Sequence, residues 1–89
     1  MAADRIWVID DDSSIRWVLE KALTKAGMEV RSFESADGVV EALGKDMPDT
    51  ILTDIRMPGK DGLQLLSELS ESHPDLPVII MTAHSDLDS

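Results

Sequence analysis

The sequence predicts an α/β protein built on a doubly wound parallel sheet. Four short apolar runs, "RIWVID" (5–10), "MEVRSF" (28–33), "TILTD" (50–54) and "PVIIMT" (77–82), alternate with segments whose apolar residues return at helical spacing. The intervening segments are long enough for crossover helices, so consecutive strands run parallel with helices on both faces. Two of the runs also end on aspartate, Asp10 and Asp54, where a buried strand has no structural use for a charge.

The first run is continuously apolar, with β-branched and aromatic residues, and reads as a strand buried on both faces with Trp7 in the core. From Ser13 or Ser14 the period changes. Ile15, Val18, Leu19, Ala22, Leu23 and Ala26 fall on one helical face, and Gly27 supplies the stop. Trp17 lies off that stripe, either at the surface or under a neighbouring segment. The run 28–33 alternates, as a strand near a sheet edge does. Ser35 is placed to cap a second helix with Ala36, Val39, Val40 and Leu43 on its apolar face, ended by Met47-Pro48. After the third strand, "IRMPGKDG" (55–62) is a loop marked by Pro58, Gly59 and Gly62. Asp61 with Gln64 resembles a capping box, opening a helix through Leu63, Leu65, Leu66 and Leu69 that His73-Pro74 closes. The fourth strand is the most apolar, and "AHSDLDS" follows without a pattern. His73 and His84 stand in loops with no partner for a metal site.

Composition bounds the chemistry. With 89 residues the chain makes at most one small domain, and 43% apolar with 29% charged residues describes a globular chain. Zero cysteines exclude disulfides and thiolate chemistry, leaving carboxylates and hydroxyls. A net charge of −10 with only eight Lys and Arg argues against nucleic-acid binding by this segment. No run approaches the roughly 18 apolar residues of a membrane span, and "MAADRIWV" lacks the regions of a signal peptide, so a cytoplasmic location is expected.

In a parallel sheet of this kind, ligands bind outside the carboxyl ends of the strands, where the strand order reverses. Asp10 and Asp11 after the first strand, Asp54 at the end of the third and Thr82 at the end of the fourth converge on that edge. Crowded carboxylates raise one another's pKa, and a hard divalent cation relieves the repulsion; oxygen-only ligation with few carboxylates suits Mg2+. Taken alone, "DDD" (10–12) is equally a solvated turn in which Asp12 or Ser13 caps the first helix. An EF-hand is excluded, because a loop starting at Asp10 meets Ile15 and Lys21 where Gly and Glu are required. "VIDDDSS" also resembles the nucleophile motif of haloacid-dehalogenase-like phosphatases, with Asp10 as the attacking residue. Ser14 departs from that motif, and the chain lacks the later catalytic groups.

The acidic pair, "DIRMPGKDG" (54–62) and "MTAHSD" (81–86), taken together, resemble the bacterial response-regulator receiver domain. The likeness runs the length of the chain and is strongest to receivers of sigma-54-dependent activators concerned with nitrogen regulation. It implies a flavodoxin-like fold of strand order 2-1-3-4-5, as in the chemotaxis receiver, here incomplete: residues 1–89 form the N-terminal part of the domain, four strands and three helices, without the last strand and its flanking helices. It implies Asp54 as phosphoacceptor, Mg2+ held by Asp10, Asp11, Asp54 and the Arg56 backbone carbonyl, and Thr82 as the switch contact to the phosphoryl group. Ile15 and Arg16 keep the family's spacing behind Asp10 and Asp11; Asp12 lies one residue beyond it and is left as cap, ligand or neither. The implied partners are a sensor histidine kinase docking near the first helix, and the ATPase and DNA-binding domains of a longer protein. The implied role is a self-phosphorylating and self-dephosphorylating switch, not a metabolic enzyme. None of Lys21, Lys25, Lys45 and Lys60 occupies the position of the family's phosphoryl-contacting lysine. The bare edge of the fourth strand favours pairing with a second copy or leaves the segment inert.

Overall fold

The computed structural model describes residues 4–55 and 62–81. Its elements are β1 (Arg5–Ile9), α1 (Ser13–Lys25), β2 (Glu29–Phe33), α2 (Val39–Leu43), β3 (Thr50–Asp54), α3 (Gly62–Ser72) and β4 (Val78–Met81). All strand pairs are parallel and the sheet order is β2-β1-β3-β4. From β1 the chain steps to one side for β2 and to the other for β3, so the switch point lies between β1 and β3. Asp10 and Asp54 stand at that point.

Alternation along the strands divides the core into two layers. Trp7 and Ile9 of β1 and Ile51 of β3 face α2 and α3, where they pack with Ala36, Val39, Leu43, Leu65 and Leu69. Trp7 also meets Phe33, with ring centroids 5.0 Å apart, and the Arg31 guanidinium lies over both rings. Ile6 and Val8 point to the opposite face and are buried beneath α1, which lies against β1 and β2. The predicted apolar stripe of α1 is wider than the surface it covers. Ile15, Leu19 and Leu23 are half-buried against the sheet, whereas Val18 is 55% and Trp17 60% exposed. Beyond α1 that face carries Leu52 and, paired with it in register, the exposed Ile79. Among the described residues β4 is paired on one side only.

Two helix starts differ from the sequence expectation or add to it. Ser35 does not cap α2. Its hydroxyl accepts from the Asp37 N–H at 3.2 Å, closing a local turn, and the helix begins four residues later after Gly38, whose φ of 85° lies in the left-handed region. Asp12 caps α1: its Oδ1 accepts from the Ser14 N–H at 2.8 Å and the Ile15 N–H at 3.4 Å. In α3, Leu65 and Leu69 are buried, while Leu63 is turned to solvent. The amino-terminal edge of the sheet is tied by Arg5, whose backbone N–H donates to Asp49 Oδ2 at 2.7 Å and whose guanidinium meets Asp46 and the Met47 carbonyl. No described helix is long and apolar enough to cross a membrane.

Candidate functional site: a carboxylate cluster at the switch point

β1 carries Asp10 into the carboxyl edge of the sheet. Its N–H donates to the Phe33 carbonyl at 3.1 Å, extending the parallel ladder with β2 by one bond past Ile9. The chain then turns sharply, and the Asp12 N–H donates back to Asp10 Oδ1 at 2.9 Å. That bond turns the carboxylate inward: Asp10 is 1% exposed, and its Oδ2 is buried with no hydrogen-bond partner among the described residues. Asp11 is exposed at the tip of the turn.

Asp54 arrives from β3 and is fully buried. Thr53, also buried, donates its hydroxyl to the Asp54 carbonyl at 3.1 Å, and Ile55 N–H continues the ladder to the Met81 carbonyl at 3.3 Å. The start of α3 is pressed against this strand end. A Cβ on Gly62 would lie 2.3 Å from the Asp54 carbonyl oxygen, and the Gly62 N–H donates to the Ile55 carbonyl at 3.1 Å.

One oxygen from each of Asp10, Asp11 and Asp54 falls within 4.8 Å of the others. Oxygens around a shared Mg2+ stand at about 2.1 Å from it, hence roughly 3–4 Å apart, so the cluster is open by a small margin that a bridging water or a slight contraction closes. The partnerless Asp10 Oδ2 gives an independent reason for a cation, because a buried acceptor with no donor is costly. The residues present fit a hard divalent ion. Asp12, whose carboxylate is engaged at the helix start, is not in the cluster. Its replacement separates the two roles: Asp12→Ala is expected to cost about 1 kcal/mol in a urea melt, as loss of a cap does, and to leave Mg2+ affinity within about twofold of wild type.

Burial pushes the Asp10 carboxyl above the usual carboxylate range; the charges of Asp54, Asp11 and Asp12 add to the rise, and the Asp12 N–H opposes it. A carboxyl raised in the folded state contributes stability that is full below the ordinary Asp value of about 3.9 and is lost as pH rises through the folded value. At neutral pH the burial of the Asp10 carboxyl therefore costs the metal-free chain stability. Asp10→Asn removes that cost, with an expected gain on the order of 1 kcal/mol, or about 4–8 °C in Tm. The gain should vanish below about pH 4, where wild-type Asp10 is itself neutral. Paired melts at pH 7 and pH 4 check it; equal Tm values at pH 7 would show that the buried charge is compensated within the protein.

The expected ligands and contacts at Arg56 and Thr82 lie outside the described residues, as do Met57-Pro58-Gly59, Asp61 and His84. Two contributors were not legible as such in the sequence. Gly62 reads as a loop marker, although an isolated glycine at a strand-to-helix junction also signals close backbone approach. Arg16 reads only as spacing, yet its Nη1 donates to the Asp10 carbonyl at 2.6 Å.

The family described as the response regulator receiver domain matches residues 6–89. The chain belongs to the response-regulator receiver family. Over all 89 residues this receiver is 60% identical to the DNA-binding transcriptional regulator NtrC of Proteus hauseri, spanning 19% of that protein's length. Among solved structures, the apo receiver domain of nitrogen regulatory protein C aligns with a TM-score of 0.84 and 59% identity, over 99% of this chain and 71% of that one. The response regulator TrrA of Thermotoga maritima, solved in complex with Mg(2+)-BeF, aligns with a TM-score of 0.86 and 32% identity, over 92% of this receiver and 71% of that chain. The flavodoxin-like architecture and the order β2-β1-β3-β4 agree with these neighbours. This receiver thus spans about a fifth of the length of the curated relatives it matches.

Proposed function

We propose that this receiver is the phosphoacceptor module of a two-component pathway, taking a phosphoryl group on Asp54 from the phosphohistidine of a sensor kinase. The observation that carries the reading is the meeting of buried Asp54 with Asp10 and Asp11 at the switch point, from strand ends far apart in sequence. An Asp54 carboxylate oxygen attacks phosphorus in line; the new O–P bond forms as the P–N bond breaks, and the imidazole leaves. Attack of water on the acyl phosphate later releases phosphate and restores Asp54. Asp10, Asp11, Asp54 and the Arg56 carbonyl would hold Mg2+, which when bound neutralises charge on the carboxylate and on the equatorial oxygens. Asp11, at the exposed tip, would ligate directly, and Asp10 largely through water. Thr82 would contact the phosphoryl group and report the modification to the surface.

The likeness to NtrC supports the output: a sigma-54-dependent transcriptional activator concerned with nitrogen regulation, whose ATPase and DNA-binding domains lie outside this chain, acting in the cytoplasm. The net charge of −10 argues against nucleic-acid binding by this segment. Incubation with acetyl phosphate and Mg2+, followed by mass spectrometry of peptides, tests the reading. One phosphoryl group on Asp54, lost on removal of Mg2+, is the expected result. Modification on Asp10 would assign the chain to the aspartyl phosphatase chemistry instead.

A further inference from the structure

We infer that Arg16 is a positioning residue for the Mg2+ site, holding Asp10 so that its free oxygen faces the metal. This rests on the reading of the carboxylate cluster given above. Asp10 has four polar groups to account for. Its N–H is held by the Phe33 carbonyl, its Oδ1 by the Asp12 N–H and its carbonyl by Arg16 Nη1, leaving Oδ2 buried and without a donor among the described residues. The turn between β1 and α1 is thereby clamped from three sides. Two of the clamps are backbone groups that any sequence provides. The third is a side chain.

Arg16 lies in the first turn of α1, next to the Asp12 carboxylate that caps the helix start. Helical side chains lean toward the amino terminus, so a long side chain at this position reaches back over the helix start to the strand end. Its planar guanidinium makes a charge-assisted bond at 2.6 Å to the carbonyl of the residue that carries the orphaned oxygen.

The sign of the effect on Mg2+ separates positioning from charge. A cation beside a metal site repels Mg2+, so if Arg16 acted by charge alone its removal would tighten binding. If it holds Asp10, removal weakens binding by about tenfold, the lower end of what loss of an outer-shell partner costs. The test is Mg2+ titration of the wild-type chain, Arg16→Ala and Arg16→Lys, followed by intrinsic fluorescence, with far-UV circular dichroism and Tm on each. In the metal-free chain, hydrogen exchange at the Asp12 amide gives a second readout. The expected result is a tenfold higher Kd for Arg16→Ala, an intermediate Kd for Arg16→Lys, and faster Asp12 exchange in Arg16→Ala. A Kd for Arg16→Ala equal to or below wild type overturns the inference. If Arg16→Ala does not fold, Arg16→Lys is read alone, and a Kd at or below wild type overturns it equally. Wild-type chain that binds no Mg2+ overturns the inference and the phosphoacceptor reading together, whereas wild-type binding with Asp54 phosphorylation but unaltered Arg16 variants overturns the inference alone.

Discussion

Asp54→Ala is expected to abolish phosphoryl incorporation while the chain keeps its fold. Asp54, the proposed phosphoacceptor, is fully buried at the end of β3, with a carboxylate oxygen within 4.8 Å of oxygens of Asp10 and Asp11. Removing it also removes a like charge from beside Asp10, so repulsion at the site falls. The small side chain leaves unfilled space, which works the other way. Asp54→Asn keeps the shape and isolates the charge, and it should melt at or above the wild-type temperature. Labelling from acetyl phosphate with Mg2+, in this chain or in a longer protein that carries it, reads the first effect, and thermal melts read the second. Undiminished labelling of a folded Asp54→Ala protein would place the phosphoacceptor elsewhere.

The second large effect is predicted at Gly62. A Cβ there would stand 2.3 Å from the Asp54 carbonyl oxygen, 3.0 Å from Ile55 Cα and 3.1 Å from the Asp54 carbonyl carbon, all of them backbone atoms. No rotamer change relieves such a contact; α3 must move away from β3. Overpacking of this kind costs up to about 3 kcal/mol, of which the better helix propensity of alanine returns at most about 1. Gly62→Ala should therefore lose about 2 kcal/mol and on the order of 10 °C in Tm. Because the displaced atoms belong to Asp54, Mg2+ affinity should fall with stability. Gly44→Ala is the control, since its nearest neighbour is the Glu41 carbonyl at 3.3 Å and its effect should stay within about 1 kcal/mol. Equal urea midpoints for the two variants would mean that the junction between β3 and α3 yields without cost.

Pattern alone determined the order and type of the elements. Periods of 2 and 3.6 are local properties, so the four strands, the helix from Ser13 and the burial of Trp7 follow from short windows of sequence. The meeting of Asp10, Asp11 and Asp54 was legible for a related reason: a charge that ends an apolar strand is anomalous wherever it occurs, and parallel topology sends such ends to one edge. What the letters left open was decided by the geometry of the turns and by how the helices pack on the strands. Asp12 became a cap rather than a ligand because the turn gave its side chain to the Ser14 and Ile15 amides. Ser35 failed to start α2 because a closer amide, that of Asp37, took its hydroxyl. The width of the α1 stripe did not reveal that only Ile15, Leu19 and Leu23 would meet the sheet, since coverage depends on where β1 and β2 lie beneath the helix. Gly62 lies against the Asp54 backbone and the Arg16 side chain reaches the Asp10 carbonyl, partners that the residue types alone do not name. The chain chose which groups are available for the chemistry, and only the packing of α1 and α3 onto the strand ends set how far apart they stand.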